Sequence, residues 1–323
     1  MGTIRRSSKL SLDELETVQE VQVGVQTWNE VYIDFLHHCQ VRGLRGATID
    51  NYRNEIGRCL GYLKQHDVAD KPSTVTKNEL ETSLVIYMQD LGLNPSTINT
   101  RIKCMKVFYT WLKSEKIIKT DHMKKVKLLP YRQPPIESFS REDVKAILNS
   151  PNKCTWNGVR DYAILLLLIE TGIRARELCE IELQDLQLDK GQVLIRKSKT
   201  YLQRYVSITK PTIHALKQWL SVRGQSSYIN VFITLSGKSL TPRLLGYTTT
   251  KYGQSANVKN VRCSPHTFRH TFAKLFLQNG GDIISLQRLL GHTDITMTRR
   301  YVHFTQEDLN DVVGKYSPLN DVW

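Results

Sequence analysis

The sequence predicts a mainly α chain in two domains, with one small β-hairpin in the second. Three observations predict it. Apolar residues recur at helical spacing along most of the chain. A basic, proline-bearing stretch interrupts that pattern near residues 130–138. A single pair of alternating segments lies between residues 192 and 209. The 323 residues leave room for about two domains of ~150 residues each.

The elements follow in order. Residues 1–20 lack periodicity and are expected to form an arm. Thr27 is placed to cap a helix whose inner face carries Trp28, Val31, Tyr32 and Phe35. Thr48 opens a second, with Ile49, Tyr52, Ile56, Leu60 and Leu63 in register. Thr76 and Glu79 make a capping box ahead of Leu80, Leu84 and Met88. Asn94-Pro95 supplies a cap and a first-turn proline for a long helix through Leu112. Four helices joined by short loops make a small bundle, expected over residues 21–130. Lys113, Lys116, Lys119, Lys124, Lys125, Lys127 and Arg132 make the next stretch basic, and Pro130, Pro134 and Pro135 keep it extended. Residues 131–139 are therefore expected to be a linker.

The second domain is expected over residues 140–323. Ser140 caps a helix leading into Val144, Ile147 and Leu148. The longest apolar run, Tyr162 to Ile169, falls well short of the ~20 residues of a membrane span. It reads as a buried helix ending at Thr171-Gly172. Gln192 to Arg196 alternates with Val193 and Ile195 on one face, Tyr205 to Thr209 returns antiparallel, and Lys197, Lys199 and Thr200 fill the turn.

Composition narrows the function. The net charge of +14 favours a polyanionic partner, most simply nucleic acid. A hydrophobic content of 40% excludes intrinsic disorder. Arg5 and Arg6 precede polar and acidic residues, so no signal peptide is expected, and the six cysteines, with no CxxC pair, read as reduced thiols in cytoplasm.

Four short segments could carry chemistry. Ser264-Pro265 starts a helix that sets His266 and Arg269 on one face of its first turn, where unpaired N–H groups attract anions. Asp282 caps a short helix bearing Ile284, Leu286, Leu289 and Leu290, closed by Gly291, and His292 follows directly. Thr293 or Asp294 caps another helix, with Tyr301 in its last turn beside Arg299 and Arg300. A tyrosine is a poor nucleophile unless cations surround it, and here they are near in sequence. Arg174 stands just past the buried helix. Its planar guanidinium suits either a phosphodiester or a salt bridge to Glu177. A zinc reading of Cys263, His266 and His270 fails on Thr267, which stands where the metalloprotease motif needs glutamate, and on the lack of a second cysteine pair. No metal and no other cofactor is expected.

Together, Thr171-Gly172-Ile173-Arg174 with Glu177, the lysine hairpin, His266-x-x-Arg269-His270, Leu290-Gly291-His292, and Tyr301 nine residues beyond His292 resemble the tyrosine recombinase (phage integrase) family. The likeness runs through the second domain; the first resembles the family's helical core DNA-binding domain only in general form. The resemblance implies a mixed α/β catalytic domain and a site-specific recombinase that cuts and rejoins DNA through a 3′-phosphotyrosine on Tyr301. It implies that Arg174 and Arg269 clamp the scissile phosphate, that His292 donates to a phosphate oxygen, and that His266 accepts the tyrosine proton or orients the phosphate. Glu177 would orient Arg174, and His270 would pack against or hydrogen-bond a neighbouring helix. The leaving oxygen would take its proton from a hairpin lysine. Lys199, five residues before Arg204, matches the family spacing, whereas Lys197 needs a two-residue insertion.

The implied partner is double-stranded DNA carrying specific target sites. Arg101, Lys103 and Lys106 on the last helix of the first domain, and Lys124, Lys125 and Lys127 beyond it, are candidate contacts. The resemblance further implies a homotetramer on a synapse of two sites, accessory DNA-bending or directionality proteins, a cytoplasmic, nucleoid-associated location and no membrane. Service to a mobile element, as a phage, transposon or conjugative integrase, stands beside chromosomal resolution. The short stretch before Thr27 is expected to leave no space for a further arm-site domain. Phe304, Leu309, Val312 and Val313 recur at helical spacing, for docking on a neighbouring subunit or on their own domain. Tyr316 is a competing tyrosine whose preceding residues match nothing. The alternatives in kind are a type IB topoisomerase-like enzyme and a DNA-binding regulator without catalysis.

Overall fold

The computed structural model describes residues 27–68, 71–132, 134–196 and 203–301. The chain divides into two compact units, Met1–Pro134 and Pro135–Trp323. Among the described residues no helix is long and apolar enough to cross a membrane, and all six cysteines are free thiols.

The first unit is a helical bundle. Helix α1 (Trp28–Val41) starts at Thr27, whose side chain caps Glu30 N–H while the Glu30 carboxylate returns to the Thr27 backbone. Helix α2 (Gly46–Gln65) begins two residues before Thr48, with Arg45 at its cap. The Thr76–Glu79 box opens a helix running over 77–90, labelled α3, whose middle, Glu81–Ile86, is π-wound. Asn94 caps Ser96 N–H at the start of α4 (Pro95–Ser114). The apolar stripes converge on one core, in which Phe35, Ile56, Leu63, Leu80, Leu84, Met88, Met105 and Phe108 are sealed from solvent. Phe35 meets Phe108 edge-on at 5.2 Å, the arrangement that ring quadrupoles favour. The basic stretch joins this unit: Ile118, Met123 and Val126 bury themselves in the core while Lys124, Lys125 and Lys127 stay exposed.

The second unit is organised around a helix with no exposed face. Helix α6 (Trp156–Thr171) follows α5 (Arg141–Asn149), and every residue from Ala163 to Leu168 is buried. That accounts for an unbroken apolar run where an amphipathic helix would alternate. It packs against α8 (Lys210–Arg223) on one side and α10 (Pro265–Gln278) on another. Between them in sequence stand the single-turn α7 (Ala175–Cys179) and an antiparallel sheet. The sheet has three strands, not two: β1 (Leu186–Gln187), β2 (Gln192–Ile195) and β3 (Arg204–Ser207), in that order. Val193 pairs with Val206 and Ile195 with Arg204. The side chains of Val193, Ile195 and Val206 face the core, as a period of two requires.

Among the described residues, three helices complete the unit: α9 (Pro242–Ser255), α11 (Ile283–Leu290) and α12 (Thr296–Arg299). Several buried polar groups of the unit are paired. Arg160 and Tyr252 both bond Asp161, at 2.8 and 2.9 Å. Arg223 donates to the carbonyls of Val231, Tyr228 and Asn230. The end of the expected linker is part of this unit. Phe139 is buried in its core and its N–H meets Thr271 Oγ1 at 2.9 Å, while Ile136 packs against the cluster of Ala273, Leu277, Leu286, Leu290 and Tyr301.

Trp219 on α8 is fully buried, and its indole N–H donates to Val231 O at 2.9 Å. Trp219→Ala is expected to lower unfolding free energy by about 3–5 kcal/mol, read from urea unfolding of the full chain. A loss under 1 kcal/mol would contradict this account of the core.

Candidate active site

The site is built on two helix ends. Helix α6 stops at Gly172, in the left-handed conformation at φ 59°; a Cβ there would lie 2.5 Å from the Phe272 ring. The turn lets Ile173 bury itself and delivers Arg174 to the start of α7. Helix α11, capped by Asp282 at its start, stops at Gly291, also left-handed at φ 64°. A helix leaves its last carbonyls without partners and carries partial negative charge there. At α11 three successive carbonyls each receive a different arginine: Leu289 accepts from Arg204 Nε at 3.0 Å, Leu290 from Arg269 Nη2 at 2.8 Å, and Gly291 from Arg174 Nη2 at 3.3 Å. Arg269 also donates to the Gly172 carbonyl at 2.8 Å, so it bridges the ends of α6 and α11.

Among the described residues, Glu177 is the one carboxylate paired with these arginines. Its side chain is almost wholly buried, and it accepts from Arg174 Nη1 at 2.9 Å, from the Arg174 backbone N–H at 3.0 Å, and from Arg204 through both terminal nitrogens at 3.2 and 2.8 Å. Burial pushes its pKa up, but the hydrogen bond and charge of Arg204, and then those of Arg174, overcome this and hold it below the ordinary value. Arg174 thus forms the expected ion pair with Glu177 while its side chain keeps 20% exposure. The two readings of Arg174 left open by the sequence are compatible.

The imidazoles complete the cluster. His292 lies between Arg269 Nη2, 2.9 Å from its Nε2, and Thr298 Oγ1, 2.8 Å from its Nδ1. A guanidinium has only donors, so Nε2 holds the lone pair and Nδ1–H points to Thr298. In this arrangement His292 accepts rather than donates. His266 is the most open of the group, on the first turn of α10. His270, one turn further, has Nδ1 2.7 Å from Tyr301 Oη. Tyr301, 3% exposed, sits just past α12, its ring among Ala273, Leu277, Leu286 and Leu290. The helix before it is one turn long, shorter than its sequence predicts, and the Asp294 side chain accepts Thr296 N–H at 2.8 Å ahead of it.

The electrostatics point one way. Burial first, then neighbouring cations, lower every imidazole: His266 through Arg269 and Arg174, His270 to about 4, and His292 to about 4. Burial and Arg174 pull even Arg269 down to about 9, still a cation at neutral pH. Each downward shift marks a positive charge that its surroundings disfavour, and a bound anion would relieve all of them together. Burial raises the Tyr301 hydroxyl while Arg269, Arg300 and Arg174 pull it back. The cluster can bind a tetrahedral oxyanion next to a tyrosine oxygen. No group of three or more His, Cys, Asp or Glu among the described residues is placed to hold a metal ion.

The structure brings together Arg174, Glu177, His266, Arg269, His270, His292 and Tyr301. Lys197, Lys199, Phe304, Leu309, Val312, Val313, Tyr316 and the arm of residues 1–20 lie outside the described residues. Arg101 departs from its expected place on a DNA-facing surface. It is 6% exposed, its Nε 2.9 Å from Glu55 and its guanidinium over the Tyr62 ring, so it ties α4 to α2. Lys103 is exposed and Lys106 half-buried on the same helix. Arg204 is the residue that sequence reasoning missed. It served only as a spacing mark, although a cation opening the return strand of a lysine hairpin was a signal.

The chain is similar to known proteins in sequence and in fold. The sequence model described as the phage integrase family matches residues 137–308. The tyrosine recombinase XerD of Staphylococcus haemolyticus is 30% identical over 302 residues, covering 91% of this chain and 99% of the relative. The tyrosine recombinase XerD of Listeria innocua is 28% identical over 299 residues, covering 90% and 99%. Among solved structures, the XerH site-specific recombinase bound to palindromic difH substrate in a post-cleavage complex matches with a TM-score of 0.71 at 20% identity, over 84% of this chain and 81% of that one.

Arg204→Ala leaves the buried Glu177 with one cation in place of two, at an expected cost of about 3–5 kcal/mol. Arg204→Lys should recover only part of this, because an ammonium cannot serve both carboxylate oxygens and the Leu289 carbonyl. Thermal unfolding of the full-length variants checks it; a melting point for Arg204→Ala equal to that of the parent would contradict it.

Proposed function

The chain belongs to the phage integrase family, and on that premise we propose that Arg174, Arg269, His266, His292 and Tyr301 form the centre where it cuts and rejoins DNA. It is a tyrosine recombinase, an enzyme of site-specific DNA recombination. The observation that carries the assignment of residues is the convergence of Arg174 and Arg269 on the carbonyls of α11, with every imidazole around them depressed and a tyrosine oxygen alongside. Such a cluster is incomplete without a polyanion.

In this reading the scissile phosphodiester enters between Arg174 and Arg269. Both guanidiniums are fixed by backbone carbonyls before DNA arrives, so little reorganisation remains when charge builds on the equatorial oxygens. Glu177 positions Arg174. His266 orients the phosphate from the first turn of α10, and His292, freed from Arg269 by the incoming oxygens and then carrying its proton on Nε2, donates a further hydrogen bond. Tyr301 Oη attacks phosphorus, forming the 3′-phosphotyrosine and releasing the 5′-oxygen, which takes its proton from Lys199 on the hairpin. The ester conserves the bond energy, so a 5′-hydroxyl from a second duplex reverses the step without a nucleotide cofactor.

The partner we propose is double-stranded DNA with a specific target site. Lys103, Lys106, Lys124, Lys125 and Lys127 would contribute phosphate contacts from the first unit. Assembly as a tetramer over two sites, help from accessory DNA-bending proteins and a cytoplasmic place of action on the nucleoid follow as further parts of the proposal.

The test is covalent trapping. Incubated in EDTA with nicked duplexes built from its mapped binding site, the parent chain is expected to give adducts that survive SDS and vanish with protease. Tyr301→Phe should give none, and Arg174→Ala should slow formation by about 10²–10³-fold. Adducts from Tyr301→Phe, or none from the parent on those substrates, would overturn the assignment.

A further inference from the structure

We infer that His270, rather than His266, is the catalytic base that takes the Tyr301 proton during DNA cleavage and returns it during rejoining. This rests on the reading of Tyr301 as nucleophile and adds the fate of its proton.

The geometry is direct. His270 Nδ1 lies 2.7 Å from Tyr301 Oη, within the reach of ~2.6–3.2 Å that proton abstraction requires. His266 occupies the more open position one turn earlier, beside Arg269 and Arg174. The two histidines are four residues apart on α10, so they rise from one helix face at successive levels. The lower level meets the nucleophile and the upper one faces the arginines that would hold the phosphate.

The charges around His270 fit the role. On its own helix stand His266, Arg269 and, one turn beyond, Lys274. From the segment after α12 come Arg300 and Tyr301, and from the start of α7 comes Arg174, which acts on the same tyrosine oxygen. Burial, with the cations nearest it, keeps the imidazole neutral at physiological pH, with a lone pair available. A phosphate arriving at Arg174 and Arg269 adds negative charge to that surrounding, so the proton affinity of His270 rises when the base is needed.

The step balances. The Tyr301 Oη–P bond forms as the P–O5′ bond breaks. The tyrosine proton moves to His270 Nδ1, and the 5′-oxygen receives a proton from the hairpin acid. On rejoining, a 5′-hydroxyl passes its proton back to the hairpin lysine as its oxygen attacks the phosphotyrosine, and His270 returns its proton to the Tyr301 oxygen as the Oη–P bond breaks. No oxidant, metal or further reactant is required.

The experiment is a pH profile of single-turnover adduct formation on nicked duplexes, for the parent, His270→Gln and His266→Gln. The parent rate should level off toward alkaline pH once the imidazole is neutral. His270→Gln should fall at least about 100-fold at pH 7 and keep climbing about tenfold per pH unit, because hydroxide must replace the base. His266→Gln should be slower but keep the parental shape. The proposal is overturned if His270→Gln keeps the parental shape, which would leave it a packing role, or if His266→Gln alone becomes hydroxide-dependent. Should His270→Gln not fold, nitrogen-15 histidine spectra of the full chain decide. Nδ1 of His270 should be unprotonated at pH 7 and shift in Tyr301→Phe; a protonated or unmoved Nδ1 overturns the proposal. Adducts formed by Tyr301→Phe would instead defeat the underlying assignment of the nucleophile.

Discussion

Three arginines on three successive carbonyls are the constraint from which the rest of the site follows. Leu289, Leu290 and Gly291 end a helix of eight residues and would otherwise leave their oxygens unpaired. Arg204, Arg269 and Arg174 reach them from a strand, a helix and a turn that lie far apart in sequence. Each of the three elements therefore has its position along α11 set to within one residue. The left-handed turns at Gly172 and Gly291 aim the carbonyls, and at Gly291 a Cβ would stand 2.9 Å from the Arg204 guanidinium. The packing that brings cations this close has no slack for a side chain.

Crowded cations repel, and the fold offsets the repulsion unevenly. Glu177 ion-pairs with Arg174 and Arg204, while among the described residues Arg269 hydrogen-bonds to carbonyls and the lone pair of His292. Burial first, and then this repulsion, lowers the proton affinities of Arg269, His266, His270 and His292. In the proposed reading a phosphodiester is the counterion that relieves this charge. The same charges act on Tyr301, where burial opposes ionisation and three arginines favour it. On the proposed assignment, Tyr301 is a nucleophile kept protonated in an apolar niche beside a neutral imidazole, poised without being reactive toward water.

Local signals in the sequence carried the helices well. The boxes at Thr27, Thr76 and Ser140 and the cap at Asn94 are made by residues within one turn of each other, so the chain fixes them without tertiary help. The unbroken run in α6 was equally legible, because burial on all sides needs no alternation. The motif around His266 and Arg269, the stop at Gly291 and the turn before Arg174 were readable from caps and glycines, and they converge as the family resemblance implies. What was not legible depends on partners distant in sequence. Arg101 looks like a surface cation until Glu55 and Tyr62 close over it. Arg204 reveals its place only when α11 and Glu177 arrive. Likewise His270 gave no sign in the sequence that its ring would meet Tyr301, thirty-one positions away.

The central claim is that one tyrosine of the chain's fourteen is the nucleophile and that its helix-end setting makes it so. Mass spectrometry of trapped adducts tests this most directly. After exhaustive nuclease digestion and proteolysis, tandem spectra locate the residue bearing the leftover phosphonucleotide. The expected site is Tyr301, in the peptide following Arg300. A phosphonucleotide on Tyr316, or on any other side chain, would contradict it.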